Sequence, residues 1–162
     1  MHLIEDVFEE KVRKKLIKDS KDVLELRNPE SFTDSQKPSS WFCPNLRHDL
    51  RFIHPITYLL NIAENITEQD LECDNAWITY CRGNENFDFH NHEYDYSAVY
   101  YMQTEPHSSG TLFEKGLVST KQNSVLIFDA NLKHKVPSYN PLADRRTLVL
   151  DINTNLSQEG KE

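Results

Sequence analysis

The chain has 162 residues, a mass of 19.0 kDa and a formal net charge of -8, with 38% hydrophobic and 10% aromatic residues. That length suits one domain, and the apolar and aromatic content is enough for a core, which excludes a disordered chain. The acidic balance argues against nucleic acid or an anionic membrane as partner, and no apolar run approaches the length of a membrane helix.

Taken in chain order, the N-terminus Met1-His2-Leu3-Ile4 has no basic segment followed by an apolar stretch, so no leader peptide is expected. Residues 4–18 place Ile4, Val7, Phe8, Val12 and Leu16 at helical spacing, which predicts a helix with a packing face. Residues 28–49 hold Pro29, Pro38 and Pro44 with several Ser and Asn and the pair Trp41-Phe42, which reads as a long loop, either a lid or an irregular packed connection. A second helix is predicted from Ile53 to Ala63, with Pro55 tolerated in its first turn.

From Asn75 onward the texture changes to short β-branched and aromatic runs. Predicted strands are Ala76–Arg82, Asn86–His92, Ser97–Gln103, Thr111–Glu114, Leu117–Thr120, Ser124–Phe128, Lys133–Ser138 and Arg146–Ile152. Turn residues separate several of them, as in Ser108-Ser109-Gly110 and Tyr139-Asn140-Pro141. Helices followed by closely spaced strands predict an α+β domain over 1–162. Its parts are a helical and loop support (1–74), a β core (75–153) and a polar tail (154–162). Cys43, Cys73 and Cys81 are an odd number without CxxC spacing, which points to reduced thiols and a cytoplasmic location.

Three of the seven histidines stand where metal chemistry would want them. His90 and His92 flank Asn91, and alternate residues of a strand share a face. His134 follows the apolar run Val125-Leu126-Ile127-Phe128, and a sheet rolled on itself can bring it opposite the pair. Three imidazoles on one face suit iron, zinc or another transition metal, although an HxH pair also occurs as a plain surface feature. His2, His48, His54 and His107 have no partners in the sequence and read as ordinary histidines. Arg145 and Thr147 are alternate residues of the last strand, and an arginine fork with a nearby hydroxyl suits a carboxylate. Tyr80 and Tyr101 could bring phenols to the same carboxylate, the plainer reading being core aromatics. Arg146 would face the other way, into solvent.

The ordered series Tyr80-Cys81-Arg82-Gly83-Asn84, Phe89-His90-Asn91-His92, Val99-Tyr100-Tyr101-Met102, Ser109-Gly110-Thr111-Leu112-Phe113, Val125-Leu126-Ile127-Phe128-Asp129, His134-Lys135-Val136 and Arg145-Arg146-Thr147 resembles the iron(II)/2-oxoglutarate dioxygenases. Within that superfamily it is most similar to the prolyl-hydroxylase branch and to short oxygenase-like proteins of bacteria and phages. The resemblance spans about Ala76 to Asn153. It implies a double-stranded β-helix (jelly-roll, cupin-like) core with the N-terminal helices packed on it. It also implies iron(II), 2-oxoglutarate and O2, with ascorbate as a candidate auxiliary, and a small-molecule or peptide substrate such as peptidyl proline. Carried over by position, His90 and His134 match the two histidine ligands, Arg145 the carboxylate-binding arginine, Thr147 its neighbouring hydroxyl, and Tyr80 and Tyr101 the supporting tyrosines.

One position departs from the family pattern. His92 stands where the HxD or HxE carboxylate ligand stands, which leaves the site one charge unit more positive. His90, His92 and His134 form the expected ligand set, with Asp88 and Asp95 as alternatives to His92 or as outer hydrogen-bond partners. Two other readings stay open: a cupin-type three-histidine dioxygenase that uses no 2-oxo acid, and a non-catalytic metal- or ligand-binding β-helix domain.

Overall fold

The structure, a computed structural model, describes residues 1–27, 45–82, 88–139 and 143–155. Among these residues it is mostly β-sheet with two α-helices. Its elements are β1 (His2–Ile4), α1 (Glu10–Arg27), a 3-10 turn (Leu46–His48), α2 (Ile53–Thr67), β2 (Leu71–Cys81), β3 (Tyr96–Gln103), β4 (Thr111–Phe113), β5 (Gly116–Val118), β6 (Ser124–Asp129), β7 (His134–Lys135) and β8 (Arg145–Thr154). No helix among the described residues is long and apolar enough to cross a membrane.

Five strands form an antiparallel sheet in the order β1-β6-β3-β8-β2, and three form a second sheet in the order β5-β4-β7. The large sheet has two differently used faces. On one, Ala76, Ile78, Ala98, Tyr100, Val125, Ile127, Leu148, Leu150 and Ile152 join a cluster with Leu16, Val23 and Leu24 of α1 and Ile56, Leu59 and Ala63 of α2. On the other, Trp77, Val99, Tyr101, Leu126, Phe128 and Val149 pack against Phe113 and Val118 of the small sheet. Because side chains alternate along a strand, the register alone decides which residue serves which face.

Several predicted boundaries shift. The stripe from Ile4 to Leu16 is not one helix: Asp6 adopts a left-handed φ of 52°, and Ile4 lies in β1, which zips onto the edge of β6. Helix α1 starts at Glu10 and runs past residue 18 to Arg27, burying Arg13, Leu16, Ser20, Val23 and Leu24 at helical spacing. Arg13 lies on that buried face because its Nη1 donates to the Met102 carbonyl at 2.9 Å. Helix α2 runs beyond Ala63 to Thr67 and ends on Glu68 at φ 55°.

The 28–49 loop lies outside the described residues up to 44, and its remainder contains the 3-10 turn. The predicted strand 86–92 begins among residues outside the described set, and its described part contributes an isolated bridge, His90 to His134. Strand β2 starts five residues before Ala76, at Leu71, its polar first half held by pairing with the end of β8 across a bulge between Cys73 and Asn75.

Candidate metal and oxo-acid site

Backbone pairing assembles the histidines. His90 and His134 exchange two hydrogen bonds, His90 N–H to His134 O at 3.0 Å and His134 N–H to His90 O at 2.9 Å. Two residues on, the His92 N–H donates to Ala130 O at 2.9 Å, so both ends of the HxH segment are pinned to the chain around β7. The ring centroids of His90 and His134 lie 4.5 Å apart, and His92 lies 5.2 Å from each. One ring nitrogen from each imidazole lies within 4.8 Å of the others.

Each ring is backed by an acceptor at Nδ1. Leu132 O accepts from His134 at 2.8 Å, Asp88 O from His90 at 3.3 Å, and Asp151 Oδ1 from His92 at 2.7 Å. In a neutral imidazole an Nδ1–H engaged this way leaves the lone pair on Nε2, which is the state a metal ligand needs. Burial, opposed by the hydrogen bond to Leu132 O and reinforced by the two neighbouring imidazoles, pushes the His134 pKa down to about 4, and burial lowers His90 as well. Aromatic rings hold the cluster: Trp77 stacks on His92 at 5.6 Å, and Phe128 meets His134 edge-on at 4.9 Å. A cavity of about 600 Å³ opens beside them, lined by His90, Asn91, His92, Glu93, Tyr94, Trp77 and Asp151. Three imidazoles with converging free nitrogens fit a transition metal.

Neither alternative carboxylate joins the cluster among the described residues. Asp95 is committed elsewhere: its Oδ2 accepts from the Thr154 N–H at 2.8 Å and from Thr154 Oγ1 at 3.0 Å, clasping the end of β8. Asp88 meets His90 through its backbone carbonyl.

Arg145, Thr147 and Tyr101 lie on the inner face of the large sheet. Arg145 is 2% exposed, its guanidinium 5.4 Å from the Tyr101 ring centroid and its Nη2 donating to Gly110 O at 2.8 Å. Its Nε is buried without a partner among the described residues. Around it hydroxyls pair with one another: Tyr101 with Thr111, Thr147 with Thr79, and Ser109 with Thr120. A buried cation with an orphaned donor among hydroxyls fits the distal carboxylate of a dicarboxylic oxo acid.

Tyr80 is not brought to this group. It pairs with Arg146 in the register, so both take the helix-side face, where its hydroxyl donates to Asp144 at 2.7 Å and the Arg146 guanidinium covers its ring at 4.4 Å. Arg146 faces away from Arg145 as expected. It is not solvated, however, but 3% exposed, because Tyr80 and Gln103 cover it.

Four participants escaped the sequence reading: Asp151, Trp77, Thr79 and Thr111. Asp151 had a signal, since a carboxylate amid Leu148-Val149-Leu150 and Ile152 is out of place unless partnered, and it keeps the alternation of Arg145, Thr147 and Val149. Thr79 carried the same parity through its pairing with Thr147.

No protein-family model matches the sequence, nor does any curated protein sequence. Solved structures do. HygX from Streptomyces hygroscopicus, with nickel and 2-oxoglutarate bound, superposes with a TM-score of 0.67 at 11% identity, covering 94% of this chain and 82% of that one. The viral collagen prolyl hydroxylase of Paramecium bursaria Chlorella virus-1, in its 2-oxoglutarate complex, gives 0.64 at 13% identity over 94% of each chain. EctD from S. alaskensis with bound iron gives 0.63 at 14% identity, over 94% of this chain and 72% of that one. The chain therefore shares the fold of proteins that bind iron or 2-oxoglutarate, a prolyl hydroxylase among them, in line with the iron(II)/2-oxoglutarate oxygenases that its motifs resemble.

Proposed function

We propose that this protein is an iron(II)- and 2-oxoglutarate-dependent oxygenase that hydroxylates a small molecule or a peptidyl residue. The observation that carries the reading is that a three-histidine cluster packs onto the inner face of the large sheet, against Trp77, Phe128 and Asp151, and that the same face carries a buried, incompletely bonded Arg145. The strand order supports a double-stranded β-helix. The His90–His134 bridge extends the small sheet to a fourth position beside β7, opposite the β6-β3-β8-β2 strands of the large sheet.

In this reading the free ring nitrogens of His90, His92 and His134 would hold the metal, and the Arg145 fork would take the far carboxylate of 2-oxoglutarate with the Tyr101 and Thr147 hydroxyls beside it. Bound iron(II) and 2-oxoglutarate supply activation of O2, one oxygen atom entering a substrate C–H bond while the co-substrate becomes succinate and CO2. Phe113 and Phe128 keep water from the inner side of His134, and the 600 Å³ cavity gives a substrate access to the outer side of His90 and His92. The prolyl hydroxylase and HygX, one of whose structures contains hygromycin B, suggest proline peptides and polar small molecules as first substrates to try.

The test is oxygen-dependent conversion of 2-oxoglutarate to succinate by the iron-loaded protein, followed by mass spectrometry with such a panel. Succinate formation that disappears in a His134→Ala variant supports the proposal; its absence throughout, with iron bound, counts against it. A second reading, a three-histidine dioxygenase of the cupin type, is favoured by the lack of a carboxylate in the cluster among the described residues. It differs in having no use for Arg145.

A further inference from the structure

The three histidines are backed unequally. His90 and His134 lean on neutral backbone carbonyls, whereas His92 leans on a carboxylate. His92 is also the residue that occupies the carboxylate's position in the HxD pattern. Asp151 is fully buried, and among the described residues its sole ion-pair partner is His92. Its Oδ2 has no hydrogen-bond partner there, and neither does the Oγ of Ser97, which faces Asp151 across the β3–β8 pairing. Trp77, stacked on the His92 ring at 5.6 Å, restrains the imidazole plane, whose Nδ1 lies 2.7 Å from Asp151 Oδ1. A buried carboxylate opposite one imidazole is poorly compensated unless a cation stands on the far side of that ring.

Resting on the metal-site reading above, we infer that Asp151 supplies, through His92, the negative charge that the first-sphere carboxylate supplies in an HxD site. The His92–Asp151 pair then acts as one anionic ligand unit, the carboxylate being moved outward by the length of one imidazole. Two neutral imidazoles and one anionic unit reproduce the charge of two histidines and a carboxylate. Asp151 is a positioning residue in this scheme: it touches neither metal nor substrate, and it fixes the His92 ring while raising its donor strength.

The test compares anaerobic iron(II) and cobalt(II) affinities, and the iron(III)/iron(II) midpoint potential, in wild type and Asp151→Asn. An asparagine can still accept from His92 Nδ1, so the variant removes charge with little change of shape. Metal affinity should fall about 10- to 100-fold and the potential should rise, since loss of an anion disfavours the ferric state. The same Asp151→Asn change made in a His92→Asp background should cost nothing or improve affinity, because the carboxylate then sits in the first sphere. An affinity within about twofold of wild type and an unmoved potential would overturn the inference. So would an equal loss in both backgrounds, which would make Asp151 merely structural. If Asp151→Asn alone fails to fold, the double variant decides: it should fold and bind metal, and failure to bind metal overturns the inference. Wild-type protein that binds no metal overturns the three-histidine reading itself, an outcome separate from any effect at Asp151.

Discussion

Replacing Arg145 by Met separates ligand binding from stability more sharply than any other change at this site. In the ligand-free protein the guanidinium is buried, makes one bond to Gly110 O, lies against Tyr101 and leaves Nε without a partner among the described residues. Removing it forfeits about 1 kcal/mol for that bond and up to about 1 kcal/mol for the ring contact, and relieves a buried charge of comparable cost. Stability should therefore move by no more than about 1 kcal/mol. Ligand binding should respond far more strongly. Two charge-assisted bonds to a carboxylate, at about 1.5–3 kcal/mol each, correspond to about a 10²- to 10⁴-fold weaker Kd for 2-oxoglutarate. Anaerobic calorimetry on the metal-loaded protein reads this directly, with Arg146→Met on the opposite face as a control whose 2-oxoglutarate affinity stays that of wild type. Arg145→Met protein that keeps its 2-oxoglutarate affinity within a few-fold would refute the carboxylate role and favour the cupin-type reading.

Three more expectations follow from named contacts. Tyr101→Phe should weaken 2-oxoglutarate by about fivefold, the worth of one neutral hydrogen bond, while Tyr80→Phe leaves it unchanged; the same titration checks both. Asn123→Ala should destabilise by about 2–4 kcal/mol in urea unfolding, because the side chain bonds the Phe8 N–H, the Phe8 carbonyl and the Tyr100 hydroxyl from a residue at φ 65°. The metal-free protein should lose stability as pH falls from about 6.5 towards about 4, since the unfolded His134 imidazole takes up a proton across that window and the folded one resists it. The loss attributable to His134 is up to about 3 kcal/mol, and it should be missing from the difference curve of a His134→Gln variant.

How far the fold could be read in advance follows from what each residue advertises. The inner strands were legible because Ser124–Phe128 and Ser97–Gln103 are short and apolar or β-branched, bounded by turn residues, and each does pair within the large sheet. The N-terminal segment was misread because Ile4, Val7 and Phe8 happen to continue the spacing of Val12 and Leu16. No local feature announced that Asp6 would turn left-handed and free β1 to cover the edge of β6. The first half of β2 has no alternation to detect, since its partner Asn153 and Thr154 lie about eighty residues away.

At the site, the HxH spacing and the place of His134 after an apolar strand announced a cluster that the fold does bring together, and alternation along the last strand put Arg145 and Thr147 on one face. Assigning Tyr80 to the oxo acid failed on parity: with Thr79 opposite Thr147, Tyr80 must share a face with Arg146. Arg146 itself looked like a solvated charge, and only its tertiary cover from Tyr80 and Gln103 makes it a buried one. Asp151 was overlooked because a lone acidic residue in a strand gives no hint of its partner until the HxH segment is folded against it.

The most direct measurement is an anaerobic titration of the iron(II)-loaded protein with 2-oxoglutarate, followed by visible absorption. The expected result is a saturable metal-to-ligand charge-transfer band that is shifted or lost in His92→Ala, as a chelated oxo acid beside a three-histidine iron requires. Iron bound with no such band at any 2-oxoglutarate concentration would contradict the proposed function.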